Sequence, residues 1–421
     1  MSKTVAVIGA GGYIGSVLVG RLLEAGYRIR ALDRFFFGVG TLGRYAGHPA
    51  LDLKTIDIRD LGARELEGCW GVLDLSGLSN DPAAEVDLQL TWEINEKGRV
   101  DLARSAQSAG VERYVFSGSC SVYGAGGDAD LAEDSELNPL TAYAQAAAKA
   151  EEAIRAMNRP GFTTVALRNA TVFGLSPRMR FDLVVNVMTL SAFERGQIVV
   201  TGGGRQRRPL VHVQDAARAF MCALEANADA VGGEVFNVGL ANFRMIELSE
   251  AVRKAVPTPV QVQFAPGDAD KRDYSVNFEK ARKVLGFSAC VDIPVGVREI
   301  HRALEAGQVE RGLVTKTVAW YRHLIKMARV LDYGLVARTA SLPVGEAAPL
   351  AARQAELQGT GRPSVAAAVR ETAPGRALLS IVSMIGMLFG LETEYSEESL
   401  TLTDRASNLA RTFETVMAVA A

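Results

Sequence analysis

Cysteine is scarce in this chain, four residues in 421, and no two of them stand at metal-ligand or redox spacing. Cys69, Cys120, Cys222 and Cys290 are scattered. That excludes a disulfide framework or a cysteine-based metal knuckle, and it reads as reduced thiols in a reducing compartment. No metal is expected. An excess of charge of one sign is also missing, since 46 Lys and Arg stand against 48 Asp and Glu. This balance gives no general drive towards nucleic acid or an anionic membrane, so neither is expected as a partner. Long hydrophobic runs are missing too. The longest, Ala377 to Leu391, is interrupted by Ser and Gly. It is too short to span a bilayer and reads as a core helix. Strand-like sequence begins within a few residues of the start, so no signal peptide is expected. There is no internal repeat and no low-complexity tract. These absences predict a cytoplasmic globular protein, long enough for two or three domains.

The first half alternates strand-like and helix-like stretches. "TVAVIGA" is a continuous apolar run, as a strand buried on both faces requires. Ile14, Val17, Leu18, Leu22 and Ala25 follow at helical spacing, and Gly26 ends that helix. "YRIRALD", "LKTIDI" and "WGVLDLSG" read as the next three strands. A helix from about Ala84 to Ala109 leads into "RYVFSGS", and a helix opened by Tyr143 leads into "FTTVALRN". This rhythm predicts an α/β Rossmann-type doubly wound parallel sheet over 1–175. From Phe173 the strands become short ("QIVV", "PLVHV", "GEVFNVG") and alternate with helices. They predict a smaller mixed α/β substrate-binding region, 176–310, interleaved with the first domain. A helical C-terminal extension, 311–421, opens with the amphipathic "LVTKTVAWYRHLIKMARVL" and contains a linker-like stretch at Gly359–Ser364.

"GAGGYIG" places glycines at 9, 12 and 15 between the first strand and the first helix. Gly9 permits a tight turn, Gly12 lets backbone approach a pyrophosphate, and Gly15 lets helix pack on strand. The helix N-terminus adds free N–H groups and a positive dipole. Asp33 ends the second strand, where a carboxylate holds adenosine ribose hydroxyls and repels a 2′-phosphate. NAD is therefore expected over NADP, with Arg34 as a neighbour that argues the other way. Asp57 and Ile58 end the third strand, where a carboxylate either meets the adenine amine or forms a turn. "LSGLS" ends the fourth strand with Gly77 near the cofactor channel, and Asn95 follows on a helix facing either the site or solvent.

With "SGSCSVYG" at 117–124, the Tyr143 helix, "LRNATVFG" at 167–174 and "RPLVHVQD" at 208–215 in order after the glycine motif, residues 1–310 resemble the extended short-chain dehydrogenase/reductase family. Its well-known members are NAD-dependent nucleotide-sugar epimerases and dehydratases. The resemblance implies hydride exchange with bound NAD through a transient keto sugar. It makes Tyr143 the acid/base and Ser119 the partner of the reacting oxygen. It implies cofactor contacts at Tyr13, Ile14, Leu75, Ser76, Ser117, Arg168, Ala170 and Val172. The family also places a lysine one helical turn after the tyrosine. There its ammonium lowers the phenol pKa, which is otherwise near 10, and grips the nicotinamide ribose. Here that position is Ala147. Lys149 lies roughly 240° around the helix from Tyr143 and points away from it. Three explanations cover the gap: deliberate replacement to trap a complex, natural loss, or a positive group from elsewhere. The intact Ser119, Tyr143 and glycine loop favour the first over long-standing decay.

On the substrate side, Cys120 and Ser121 follow Ser119, where dehydratases of the family carry an Asp-Glu pair. The resemblance therefore implies an epimerase ahead of a dehydratase, a reductase or an oxidase, with a non-catalytic NAD-binding scaffold as the rival class. Arg208 matches a position that holds the substrate diphosphate, a task suited to the planar guanidinium, and His212 reads as its buttress. The alternative for Arg205, Arg207 and Arg208 is a solvated basic loop. Arg272 and Asp268, in "PGDADKRDYSV", match a second diphosphate-contact region. Thr171 stands where relatives often have Asn. Ser79, Arg178, Arg180 and Asn186 complete the substrate candidates. A homodimer through the helices near 84–109 and 140–158 is implied by the resemblance alone. The helix around Trp320 and Tyr321 reads as core packing, with a cover over the substrate domain or a subunit contact as alternatives. The last stretch loosely resembles the later helices of an acyl carrier domain, but Ala377, Leu378 and Leu379 replace its arm-bearing Asp-Ser-Leu.

Overall fold

The computed structural model describes residues 2–126, 130–266 and 273–327. Asp268, Arg272, the Gly359–Ser364 stretch and the carrier-like tail lie outside the described residues. One compact unit spans residues 1–325.

Its centre is a seven-stranded sheet. In chain order the strands are β1 (Thr4–Ile8), β2 (Arg28–Asp33), β3 (Leu51–Thr55), β4 (Gly71–Asp74), β5 (Arg113–Ser119), then, past the short β6 (Asp130–Leu131), β7 (Thr163–Asn169). After β8 (Thr171–Phe173), β9 (Gln197–Thr201) and β10 (Arg207–His212) comes β11 (Glu234–Val238), the last strand of this sheet. The spatial order is β11-β7-β5-β4-β1-β2-β3 and every pairing is parallel. The order reverses between β1 and β4, so their carboxyl ends open a crevice at the switch point, where doubly wound sheets bind ligands. The expected Rossmann-type sheet is thus present. The inner strands are buried because their residues are apolar on both faces: Val5, Ala6, Val7, Val72 and Leu73 are all fully covered.

Local chemistry sets the element ends. The helix Gly15–Glu24 stops at Gly26, whose positive φ allows a Schellman turn. Gly26 N–H donates to Leu23 O and Tyr27 N–H to Leu22 O. The expected helix from about Ala84 to Ala109 runs unbroken from Leu88 to Ser108, through a π-helical turn at Glu93–Gly98, with a separate short helix Asp81–Ala84 before it. The side chains of Asn80 and Asp87 accept from Ala83 N–H and Leu90 N–H. Each caps a helix start.

The smaller region adds β12 (Ala241–Arg244), β13 (Gln261–Ala265) and β14 (Ser275–Val276). Strands β12-β10-β8 form a three-stranded sheet, and β13-β9 and β14-β6 form pairs. Phe173, Val185, Leu210, Leu248, Ile293 and Val297 share its core. The compact unit continues past residue 310, where the sequence places the start of the extension. Phe181 N–H donates to Thr315 O, a helix begins at Thr317, and Trp320 Nε1 donates to Phe36 O at 2.6 Å. Among the described residues, no helix is long and apolar enough to cross a membrane.

Candidate functional site

A cavity of about 510 Å³ opens at the switch point. The loop after β1 forms its floor. Gly9 has φ +79°, and a Cβ there would lie 2.7 Å from Leu75 O. A Cβ on Gly15 would strike Gly9 O, and one on Gly12 would stand 3.1 Å from the same atom. Any larger residue would disrupt the turn that brings loop, helix and β4 together. Tyr13 and Ile14 also line the cavity. The Tyr13 hydroxyl donates to Gly174 O at 2.5 Å and accepts from Asn186 Nδ2 at 2.9 Å, which fixes the loop to the segment after β8.

Asp33 closes the end of β2. Its carboxylate accepts Gly11 N–H at 2.9 Å and Phe35 N–H at 2.6 Å. Burial pushes its pKa up, against the pull of these amides and of Arg178. Arg34 and Asp57 both line the cavity and pair with each other at 3.7 Å. Asp57 also caps the turn Ile58–Asp60 and holds Arg59 at 2.9 Å. Desolvation opposes its charge, but Arg59 and Arg34 hold the carboxyl below its usual value. Of the two expected roles, the turn-forming one is occupied. Leu75, Ser76 and Gly77 line the opposite wall, and Asn95, buried, pins it. Its side chain accepts Leu78 N–H at 2.8 Å and donates to Leu78 O at 3.0 Å.

Ser119 at the end of β5 and Tyr143 in the first turn of the helix Ala142–Arg155 meet in the same cavity. Thr141 caps that helix through Ala144 N–H, which sets where Tyr143 emerges. Ser119 stands close enough to Tyr143 to favour its phenolate. Burial raises the Tyr143 pKa and the Asp81 carboxylate raises it further; Ser119, Arg99 and Arg180 pull it down. Ala147, one turn on, does not reach the cavity wall. It is buried with Cys120, Val122, Tyr123 and Tyr274. Lys149 is exposed, its ammonium 5.0 Å above the Trp92 ring. It supplies no charge to the cavity.

Ser117, Ala170, Thr171 and Val172 line the cavity, as do Ser79, Ser121 and Arg208. Ile58 does as well. Four other expected contacts stand elsewhere. Arg168 is buried in an ion pair with Glu151 at 2.7 Å and donates to the Tyr123 hydroxyl at 2.8 Å. It ties the Tyr143 helix to β7. Cys120 points its thiol at Arg168 O, because alternation along the chain after β5 turns it away from the crevice. Asn186 spends both ends of its amide on Gly174 N–H, Tyr13 and Arg180 O. His212 pairs with Glu299 at 2.6 Å and edges onto Phe173, a buttress outside the cavity. Arg207 pairs with Asp273 at 3.2 Å, while Arg205 is exposed.

Two arginines from the segment after β8 enter the cavity. Arg180 pairs with Asp182 at 2.8 Å and donates to Ser79 Oγ at 3.0 Å. Arg178 has its pKa lowered to about 10, first by burial and then by Arg180. Sequence reasoning missed Asp81, Arg99 and Phe37, which also line the cavity, as does Tyr321, which the sequence reads as core packing or a cover. Arg99 was legible in principle: Asp74 ends an apolar strand, and a buried carboxylate needs a cation. Arg99 provides it at 2.8 Å. The glycine turn, the half-buried Asp33 carboxylate and the open donors of Arg178 together suit a dinucleotide.

A family model described as "NAD dependent epimerase/dehydratase family" matches residues 5–239. A UDP-glucose 4-epimerase of Lacticaseibacillus casei is 27% identical over 310 residues, covering 69% of this chain and 92% of that protein. The uncharacterized protein y4nG of Sinorhizobium fredii is 29% identical over 269 residues, 63% of each chain, so the match spans less than two thirds of that relative. The solved structure of MoeE5 in complex with UDP-glucose and NAD superposes with a TM-score of 0.63 at 26% identity. It covers 73% of this chain and 100% of that one.

Proposed function

The chain belongs to the NAD-dependent epimerase/dehydratase family, and on that premise we propose that it is an epimerase of a nucleotide-activated sugar, slowed by the alanine at position 147. The observation that carries this reading is that Ser119 and Tyr143 line the same cavity as the glycine turn and Asp33. NAD, when bound, supplies the hydride acceptor and donor. Asp33 holds its ribose hydroxyls, and Gly9, Gly12 and Gly15 let its pyrophosphate approach backbone N–H groups. Tyr143 takes the proton from a sugar hydroxyl and later returns it, while Ser119 orients that oxygen. Arg208 and Arg180 are the substrate-side cations. The 92% coverage of a UDP-glucose 4-epimerase supports epimerisation. Dehydration is disfavoured because Cys120 and Ser121 offer no carboxylate after Ser119.

One observation favours a second reading, a non-catalytic NAD-binding scaffold: no lysine supports Tyr143, and its pKa is raised. A panel of UDP-, GDP-, CDP- and dTDP-sugars incubated with the chain and NAD, read by proton NMR, separates the readings. A sugar returned as its epimer supports the proposal. A keto-deoxy product makes the chain a dehydratase. Accumulated NADH makes it an oxidase. No product with NAD retained supports the scaffold.

A further inference from the structure

Arg178 lies within ion-pair distance of no carboxylate among the described residues, and Asp33 and Asp182 act on it only from further off. It is 4% exposed and lines the cavity beside Tyr13, Asp33 and Tyr321. Nη2 donates to Thr317 Oγ1 at 2.9 Å, whereas Nε and Nη1 have no hydrogen-bond partner. The Phe37 ring covers its guanidinium at 3.6 Å. The nearby Asp182 is already engaged by Arg180 and Asn80. A buried cation with open donors is unfavourable until an anion arrives, and guanidinium donors match phosphate oxygens.

Two phosphate sources share this chemistry, the dinucleotide and the nucleotide sugar. The surroundings favour the first. Arg178 lines the cavity with Tyr13 of the glycine loop and Asp33 at the end of β2, and it acts electrostatically on both, as on Asp182 and Tyr321. Thr317, which steadies it, opens the helix whose Trp320 and Tyr321 pack on Phe36 and Phe37, directly after that strand. This helix lies beyond the family match, which ends at residue 239.

We propose that Arg178 holds a phosphate of the bound dinucleotide from a wall other than the glycine loop, and that the helix beginning at Thr317 locks it there, making this C-terminal helix part of the cofactor site. The proposal rests on the dinucleotide reading above. The full chain, Arg178→Met, Arg178→Lys and Thr317→Val are titrated with NAD, ADP, adenosine and UDP by calorimetry. Melting temperatures are recorded with and without NAD. Arg178→Met is expected to bind NAD and ADP roughly 10- to 100-fold more weakly, the range for a charged hydrogen bond. Adenosine and UDP binding stay unchanged. Arg178→Lys falls between, and Thr317→Val shifts NAD in the same direction by less. The ligand-free melting temperature of Arg178→Met holds or rises, because a desolvated charge has gone. Unchanged NAD affinity, or weakening confined to UDP, overturns the proposal. So does a sharp fall in ligand-free melting temperature, which assigns the arginine to structure. If the unmodified chain binds no NAD, the dinucleotide reading fails and takes this proposal with it.

Discussion

Tyr143 works against its surroundings. Burial and Asp81 both favour the phenol over the phenolate, and Ala147 offers nothing in return. The sign follows directly. A base with a raised pKa is mostly protonated at neutral pH, so turnover by this chain should climb steadily as pH rises from 7 to 10. A profile flat over that interval would show that the tyrosine is not the base. Asp33 supports a second residue-scale prediction. Asp33→Ala should weaken NAD binding roughly 10- to 100-fold, the worth of hydrogen bonds to a charged group, measured by calorimetry. Both residues were legible in the sequence because their positions follow from strand and helix ends. Arg168, Cys120 and Asn186 were not. Each belongs to a recognisable motif, but its direction depends on partners distant in the chain: Glu151, the Arg168 carbonyl, and Tyr13.

The Tyr143 helix is held by a buried ion pair. Arg168 on β7 grips Glu151, two turns after Tyr143, with both side chains 3% exposed. Removing one partner leaves an uncompensated buried charge, which costs about 3–5 kcal/mol. Glu151→Ala should therefore lower the urea-unfolding free energy by that amount, and a loss below about 1 kcal/mol would mean the pair is not what anchors the helix. At this scale the sequence was most informative where apolar runs were long. β1, β2, β5 and β7 stand where buried strands were expected, since a parallel sheet covered on both faces demands continuous hydrophobicity. The helix expected over 84–109 begins instead at Leu88, because Asp87 caps a new start there within the same hydrophobic rhythm. Periodicity carries no record of such a cap.

For the whole molecule, the doubly wound parallel sheet followed from the alternation of strands and helices. The packing of Trp320 and Tyr321 beside the cavity did not, because the chain brings them back across some 280 residues to Phe36 and Phe37. Association is a further prediction at this scale. Leu88 and Leu140, at the starts of the two helical regions proposed to dimerise, are 55% and 44% exposed. Light scattering should find a dimer for the unmodified chain and a monomer for a Leu88→Glu, Leu140→Glu double variant. A monomer in both cases removes this interface.

The measurement that tests the account most directly is the pH–rate profile of the chain beside that of Ala147→Lys, each with NAD and the nucleotide sugar converted in the NMR panel. The account predicts that the lysine variant is faster at pH 7 by about 10²-fold or more, the scale of general acid–base catalysis. Its alkaline rise should move to lower pH, because a nearby ammonium lowers the tyrosine pKa. Equal rates with superimposable profiles, or a slower lysine variant, would contradict it.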